Sequence, residues 1–211
     1  MKEPIPEIWE GLPVVDAAAM RALDDAATEK YGVKALDLME NAGRVVAEQA
    51  AAFLRERGTP PASARVVACC GRGANGGDGL VAARYLREGG ATVSAFLCPP
   101  KKEGAGGGRY PELLRVNLAK AAAAGVTTRE AGPLSGLAEA LAECDLVLDA
   151  LLGTGATGKP AGAIHHMISE IAKSRKPVIA VDIPSGLHPD TGYHSGVFVT
   201  ADMTLTLGLP K

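Results

Sequence analysis

Apolar positions follow two rhythms along this chain. Short, nearly continuous apolar runs recur at 65–70, 92–97, 126–128, 145–152, 177–181 and 203–207, the pattern of strands buried on both faces. Between them apolar residues return at helical spacing. Met20, Leu23 and Ala27 mark a helix over 17–30, opened by Asp16 as N-cap and ended by Gly32. Leu36, Met39, Val46, Ala50 and Leu54 mark a second over 35–57, in which Glu40 and Asn41 fall on the surface and Gly43 allows close helix packing. Further helices are expected over 80–87, 111–124, 134–143 and 161–173. Strands alternating with helices predict an α/β, Rossmann-like fold: a doubly wound, mainly parallel sheet with helices on both faces, in three αβα layers. Residues 1–15, polar and punctuated by proline, predict an extended lead-in with Trp9 pinned to the surface, and residues 16–211 read as one domain.

One stretch organises the rest. Gly71-Arg72-Gly73-Ala74-Asn75-Gly76-Gly77-Asp78-Gly79 sits between the first strong strand and the helix expected from Leu80. Such glycines reach positive φ and let backbone approach a ligand. Helix-start N–H groups then face phosphate. The stretch is expected to be a phosphate- or nucleotide-binding loop. Gly71, Gly73 and Gly76 match G-x-G-x-x-G, but the strand at 92–97 ends in Leu97-Cys98-Pro99, with no acid for a ribose diol. No Gly-Lys-Ser/Thr follows, so it is not a Walker loop. Asn75 and Asp78 add oxygens that a plain phosphate cradle does not need. A second glycine-rich loop, Gly153-Thr154-Gly155-Ala156-Thr157-Gly158-Lys159, follows the strand that carries Asp149. The next strand ends on Asp182, ahead of Ile183-Pro184-Ser185-Gly186.

Composition narrows the function. A net charge of −2 offers no strong positive field, so nucleic acid is a poor partner. Cys69, Cys70, Cys98 and Cys144 form no C-x-x-C pair and fit buried thiols in a reducing compartment. No apolar run reaches the ~20 residues of a membrane span and no secretory h-region opens the chain, so a soluble cytoplasmic protein is expected. His165, His166, His188 and His194 lack ligand spacing, and Ser185 lies outside any G-x-S-x-G motif; zinc chemistry and acyl transfer rank low. Lys101 and Lys102 lie in a glycine-rich connection within reach of an anionic ligand and read as solvated side chains.

In doubly wound sheets ligands lie beyond the C-terminal strand ends. Asn75 with Asp78, Asp149, and Asp182 with Ser185 fall there, which favours one composite site. Two anion-friendly loops suit a ligand with two phosphates. The oxygen-only groups Asn75, Asp149 and Ser185 suit a hard, monovalent cation. Asp182 suits proton transfer.

These residues together resemble one family. Leu-Met-Glu-Asn-Ala-Gly (38–43), Asn-Gly-Gly-Asp-Gly (75–79), Asp-Ala-Leu-Leu-Gly-Thr-Gly (149–155), Val-Asp-Ile-Pro-Ser-Gly (181–186) and Gly-Leu-Pro-Lys (208–211) are similar, in this order, to motifs of the YjeF N-terminal domain family. These are the NAD(P)H-hydrate epimerases, a family that includes apolipoprotein A-I-binding protein. The resemblance implies interconversion of the R and S forms of NADHX and NADPHX, after which a separate dehydratase restores the S form. It also implies a homodimer and one potassium ion per subunit, on Asn75, Asp149 and Ser185. It further implies substrate contacts from Ala74, Asn75, Gly76, Gly77 and Asp78, from Gly153, Thr154, Gly155, Ala156, Thr157, Gly158 and Lys159, and from Asp182 as the acid/base residue. N–H groups of the second loop and of Gly76 and Gly77 would meet pyrophosphate.

Two departures stand out. Ala74 replaces the family's usual first asparagine, removing one polar contact. Family members also run on through further strands after Gly-Leu-Pro-Lys, so the resemblance implies either a chain cut from a longer one, fused in some members to a dehydratase, or a different C-terminal edge. Two other readings compete. A non-catalytic scaffold of the same fold would not need Asn75, Asp149, Asp182 and Ser185 together. A conventional nicotinamide dehydrogenase would need the missing ribose-binding acid.

Overall fold

The polar lead-in forms a small hairpin. In the structure, a computed structural model that describes residues 7–100, 108–194 and 196–211, Ile8–Trp9 (β1) pairs antiparallel with Leu12–Pro13 (β2). Trp9 is not pinned: it is 58% exposed. Asp16 caps helix Ala17–Glu29 (α1), its Oδ1 accepting the Ala19 N–H at 2.7 Å, as N-cap chemistry requires. Helix Ala35–Glu56 (α2) follows. Lys101 and Lys102 lie outside the described residues.

The remaining elements build the sheet. They are Arg65–Cys70 (β3), Ala74–Glu88 (α3), Thr92–Leu97 (β4), Glu112–Ala123 (α4), Thr127–Glu130 (β5), Leu137–Glu143 (α5), Leu146–Ala150 (β6), Gly162–Ser174 (α6), Val178–Val181 (β7) and Met203–Leu205 (β8). The order is β5-β4-β3-β6-β7-β8 and every pairing is parallel. The chain winds outward from β3 in one direction, then from β6 in the other. The switch point, where a doubly wound sheet opens a crevice, therefore lies between β3 and β6.

Strand alternation divides the core in two. Val66, Ala68 and Cys70 pack with α2, α3 and α4, while Val67 and Cys69 pack with α5 and α6. The same division holds for Leu148 against Val147. All four cysteines are free and buried. The three-layer α/β fold expected from the periodicity is the fold observed.

The glycine-dense stretch departs from the expectation. Residues 74–79 are not a turn; they are the opening of α3. None of Gly71, Gly73, Gly76, Gly77 or Gly79 has a positive φ. Their role is closeness. A Cβ on Gly71 would lie 1.8 Å from the Leu151 carbonyl oxygen. One on Gly76 would lie 2.2 Å from the Gly71 oxygen, and one on Gly79 would lie 2.4 Å from the Ala150 Cβ. Intrinsic propensity argues against a glycine-rich helix start by up to about 1 kcal/mol per glycine, and tertiary packing overrides it here. On the outer side, Gly43 of α2 approaches Val81 and the Asp78 carbonyl so closely that a Cβ would lie 2.4 Å from the Val81 Cβ.

Glu40 is also more than helix surface. Its Oε1 accepts from Arg84 Nη2 and, at 2.8 Å, from the Tyr85 hydroxyl; its Oε2 lies 3.7 Å from Lys120 Nζ. Burial alone would raise the Glu40 carboxyl, but the hydrogen bonds from Tyr85 and Arg84 outweigh it and hold the group below the usual range. The network joins α2, α3 and α4, and so sets how α3 is presented to the site.

Two glycine substitutions should separate in stability. Gly71→Ala meets fixed backbone and should lose about 2–3 kcal/mol or fail to fold. A Cβ on Gly77 meets only the Met39 Sδ and Cε, at 2.4 and 2.7 Å, the far end of a flexible side chain. Gly77→Ala should therefore stay within about 1 kcal/mol of the parent. Urea melts of the two variants measure the difference; equal losses would refute the close-approach reading.

Candidate functional site

The C-terminal ends of β3, β6 and β7 open into a cavity of about 1010 Å³. The starts of α3 and α6, the 153–159 loop and one side of α1 surround it. Neither Gly73 nor Ala161, the residues before α3 and α6, caps its helix with a side chain. The first-turn N–H groups of both helices thus lack partners inside their own helices. Two such ends beside one cavity favour anionic groups there.

Asp182 is the best-defined polar group in this cavity. It closes β7 with φ 72, a left-handed value that non-glycine residues rarely adopt. That turn is held by its own N–H on the Leu205 carbonyl at 2.9 Å. Its Oδ2 accepts the Thr154 N–H at 2.8 Å, and its Oδ1 accepts from Lys211 Nζ. The pair is enclosed, with side chains 9% and 3% exposed.

Asn75 stands across Gly153 from Asp182. A Cβ on Gly153 would lie 2.7 Å from Asp182 Oδ2 and 3.3 Å from the Asn75 Cβ. Only glycine fits between the two. Asn75 is 8% exposed, and neither its Oδ1 nor its Nδ2 has a hydrogen-bond partner among the described residues. Buried polar atoms are rarely left unpaired, so an aligned but unsatisfied amide marks a place prepared for a ligand.

Asp149 and Ser185 form a second unit behind the first. Asp149 is wholly buried. Its Oδ2 accepts the Ser185 N–H at 2.8 Å; its Oδ1 accepts the Ser185 hydroxyl at 2.6 Å and the Leu151 N–H at 3.3 Å. Ser185 Oγ accepts in turn from the Leu152 N–H at 2.9 Å. Burial pushes the Asp149 carboxyl up to about 6, against the opposing hydrogen bonds from Ser185 and Leu151. This unit does not line the cavity; it braces the β6–β7 strand ends beneath it.

The second loop is partly occupied by internal bonds. Thr154 N–H goes to Asp182 and Ala156 N–H to the Gly153 oxygen at 3.0 Å. The N–H groups of Gly155, Thr157 and Gly158 have no acceptor among the described residues, and Lys159 adds a positive charge at the cavity rim. In the first loop Gly77 N–H is taken up by the Gly73 oxygen at 3.4 Å. Gly77 is therefore no free donor, contrary to expectation, and the open N–H groups belong to Ala74, Asn75 and Gly76.

Asp78 is buried and turned toward the same cavity. Burial, with the charges of Asp182 and Asp24 beside it, pushes its carboxyl well above the usual range. Asp24 of α1 is raised as well, by burial and Asp182 against the pull of Lys211. The sequence patterns assigned no role to Asp24 or Lys211. Gly-Leu-Pro-Lys carried a signal for Lys211; Asp24 carried none, being one of several polar residues on a surface helix. The four histidines, which lack ligand spacing in the sequence, are exposed.

The fold and site define a class: a doubly wound domain with an acid-lined crevice, flanked by two uncapped helix starts, at its switch point. The family model described as YjeF-related protein N-terminus matches residues 35–211, and the chain belongs to that family. It is 43% identical over 202 residues to a bifunctional NAD(P)H-hydrate repair enzyme Nnr of Thermofilum pendens, covering 95% of this chain but only 36% of that protein. It is 37% identical over 202 residues to an NAD(P)H-hydrate epimerase of Elusimicrobium minutum, covering 95% of this chain and 87% of that one. The crystal structure of yeast ynu0, YNL200c, superposes with a TM-score of 0.81 at 25% identity, over 94% of this chain and 82% of that one. Among the described residues no helix is long and apolar enough to cross a membrane.

The Asp78 environment gives a pH test. Its folded carboxyl is raised, so the charged form is the one the fold disfavours. That penalty is absent below the ordinary carboxylate pKa near ~4 and grows as pH rises above it. Asp78→Asn should therefore melt several degrees higher than the parent at pH 8, with the gap closing toward pH 4, while losing ligand affinity. A gap independent of pH would place Asp78 outside the cluster.

Proposed function

We propose that this chain is an NAD(P)H-hydrate epimerase, an isomerase that interconverts the R and S forms of NADHX and NADPHX. The observation that carries the reading is Asp182: a carboxylate held in a left-handed turn at a strand end, beside the unpartnered Asn75 amide, in a cavity of about 1010 Å³. The names and identities of the relatives support it, and so does the site's retention of Asn75, Asp149, Asp182 and Ser185.

Inversion at the hydrated ring carbon needs its bond to the hydroxyl oxygen, or to the ring nitrogen, to break and re-form on the other face. Asp182 moves a proton on or off the departing group as the bond breaks and reverses that transfer as it re-forms, so its net protonation is unchanged over one turnover. The pyrophosphate meets the open N–H groups of Ala74, Asn75 and Gly76 and of Gly155, Thr157 and Gly158, with Lys159 adding charge. Ala156 lines the same cavity, and Gly153 keeps the loop close to Asn75 and Asp182. Thr154 acts through Asp182 by fixing Oδ2.

Asn75, Asp149 and Ser185 would hold potassium. One carboxylate with neutral oxygens suits a hard monovalent ion. Asn75 Oδ1 lacks a partner, and Asp149 is a buried carboxylate whose charge a cation would offset. The ion would supply electrostatic anchoring of the substrate. The family's homodimer and its coupling to a dehydratase are part of this proposal. Four free, buried cysteines support a reducing compartment such as the cytoplasm.

The test uses R-NADHX, an S-specific dehydratase, ATP and potassium, with NADH recovery followed by absorbance. This protein should speed recovery, and Asp182→Asn should slow the epimerisation by ~10²-fold or more with binding largely kept. A variant with near-normal turnover would remove Asp182 from its role. Replacing potassium by tetramethylammonium should weaken substrate binding in the parent and change nothing in Asn75→Ala; an unchanged parent would remove the ion.

A further inference from the structure

Three acids line the cavity, Asp182 at the end of β7, Asp78 from α3 and Asp24 from α1, and Asp182 acts electrostatically on the other two. Lys211 lines the same cavity, paired with Asp182 and acting on Asp24. Its Nζ donates to Asp182 Oδ1 and, at 2.7 Å, to the Leu207 carbonyl. The chain beyond β8 is shaped to deliver it. Gly208 turns at φ 78, against Met20, where a Cβ would lie 2.5 Å from the Met20 Cε. The Pro210 carbonyl is then fixed by the Val15 N–H at 2.9 Å. The lysine therefore returns to a set place and does not sample the surface.

A second cavity of about 400 Å³ lies on the far side of the pair. Asp182 and Lys211 line both cavities. The ion pair thus sits where the two cavities meet.

We propose that Lys211 is the positioning residue of this site: its ammonium pins Asp182 Oδ1 and supplies the opposing charge among three acids, leaving the Oδ2 side of the carboxylate turned to the 153–159 loop and the substrate. The role rests on the reading of Asp182 as the acid/base residue. It is specific to a lysine. A compact ammonium with three donors serves Oδ1 and the Leu207 carbonyl from one point, whereas a guanidinium spreads its donors over a rigid plane.

Two measurements on the full chain decide it. The first is a melting cycle with Lys211→Met, Asp182→Asn and the double variant. Lys211→Met strands a buried carboxylate and should lower Tm by about 5 °C or more, and adding Asp182→Asn should recover most of that. Strictly additive shifts would overturn the pairing. The second is kinetic. Lys211→Ala should lose about 10²-fold in kcat on NADHX with KM within about threefold, Lys211→Arg should recover only part of it, and a short alkylamine added to Lys211→Ala should restore at least about tenfold. A folded Lys211→Ala with kcat within threefold of the parent, or one that no amine rescues, would overturn the positioning role. If the parent itself turns over no NADHX, the epimerase reading falls, and the melting cycle still decides whether Lys211 holds Asp182.

Discussion

The site depends on how closely the backbone of Gly71 approaches the carbonyl of Leu151, a contact no side chain survives. This contact clamps the exit of β3 to the exit of β6 at the point where the sheet reverses its winding. With those two exits in contact, only three residues separate the end of β3 from the start of α3, and Gly76 lies against Gly71. The first turn of α3 is thereby aimed across the crevice at the 153–159 loop. Gly153 then fits between Asn75 and Asp182 because it too lacks a Cβ. A chain of steric contacts, with little help from intrinsic propensity, brings a helix start, a loop and the Asp182 carboxylate together.

Electrostatics works against this assembly. Asp24, Asp78 and Asp182 line one cavity with a single ammonium, Lys211, paired to Asp182, and Asp149 lies buried behind with hydrogen-bond donors around it. Carboxyls raised by burial mean that the folded state disfavours their charge. Sites of this kind hold function at the expense of stability. The proposed substrate and cation offset part of that strain: potassium answers Asp149 and Asn75, and phosphates answer the open helix N-termini. The Glu40–Arg84–Tyr85–Lys120 network lies outside the crevice and holds α2, α3 and α4 as one layer, so the strain at the strand ends is borne by a braced helix.

Much of this was legible in the sequence, and the failures have causes. β3 and β4 could be read to the residue because both are short, mainly apolar runs closed by punctuating residues, Gly71 after the first and Pro99 just after the second, and Asp16 was readable as a cap because capping is local chemistry. The opening of α3 was not. Five glycines in 71–79 argue for a turn by propensity, and only the packing of Leu151, Ala150 and Met39 around them makes a helix. Glu40 looked like surface because its partners, Arg84 and Lys120, lie on other helices. The composite site was visible as polar residues at strand ends, yet the division into a cavity pair, Asn75 with Asp182, and a bracing pair, Asp149 with Ser185, required the fold. Lys211 was seen as part of a motif, and its link to Asp182 rests on a turn at Gly208 and a bond from Val15 that no local pattern encodes.

The most direct test is a crystal structure with NADPHX bound, grown in rubidium chloride so that the cation can be located by its anomalous signal. The account predicts the hydrated ring against Asp182, the pyrophosphate on the N–H groups of 74–76 and 155–158, and rubidium at Asn75, Asp149 and Ser185. A ring bound away from Asp182, with its phosphates elsewhere on the surface, would contradict the account.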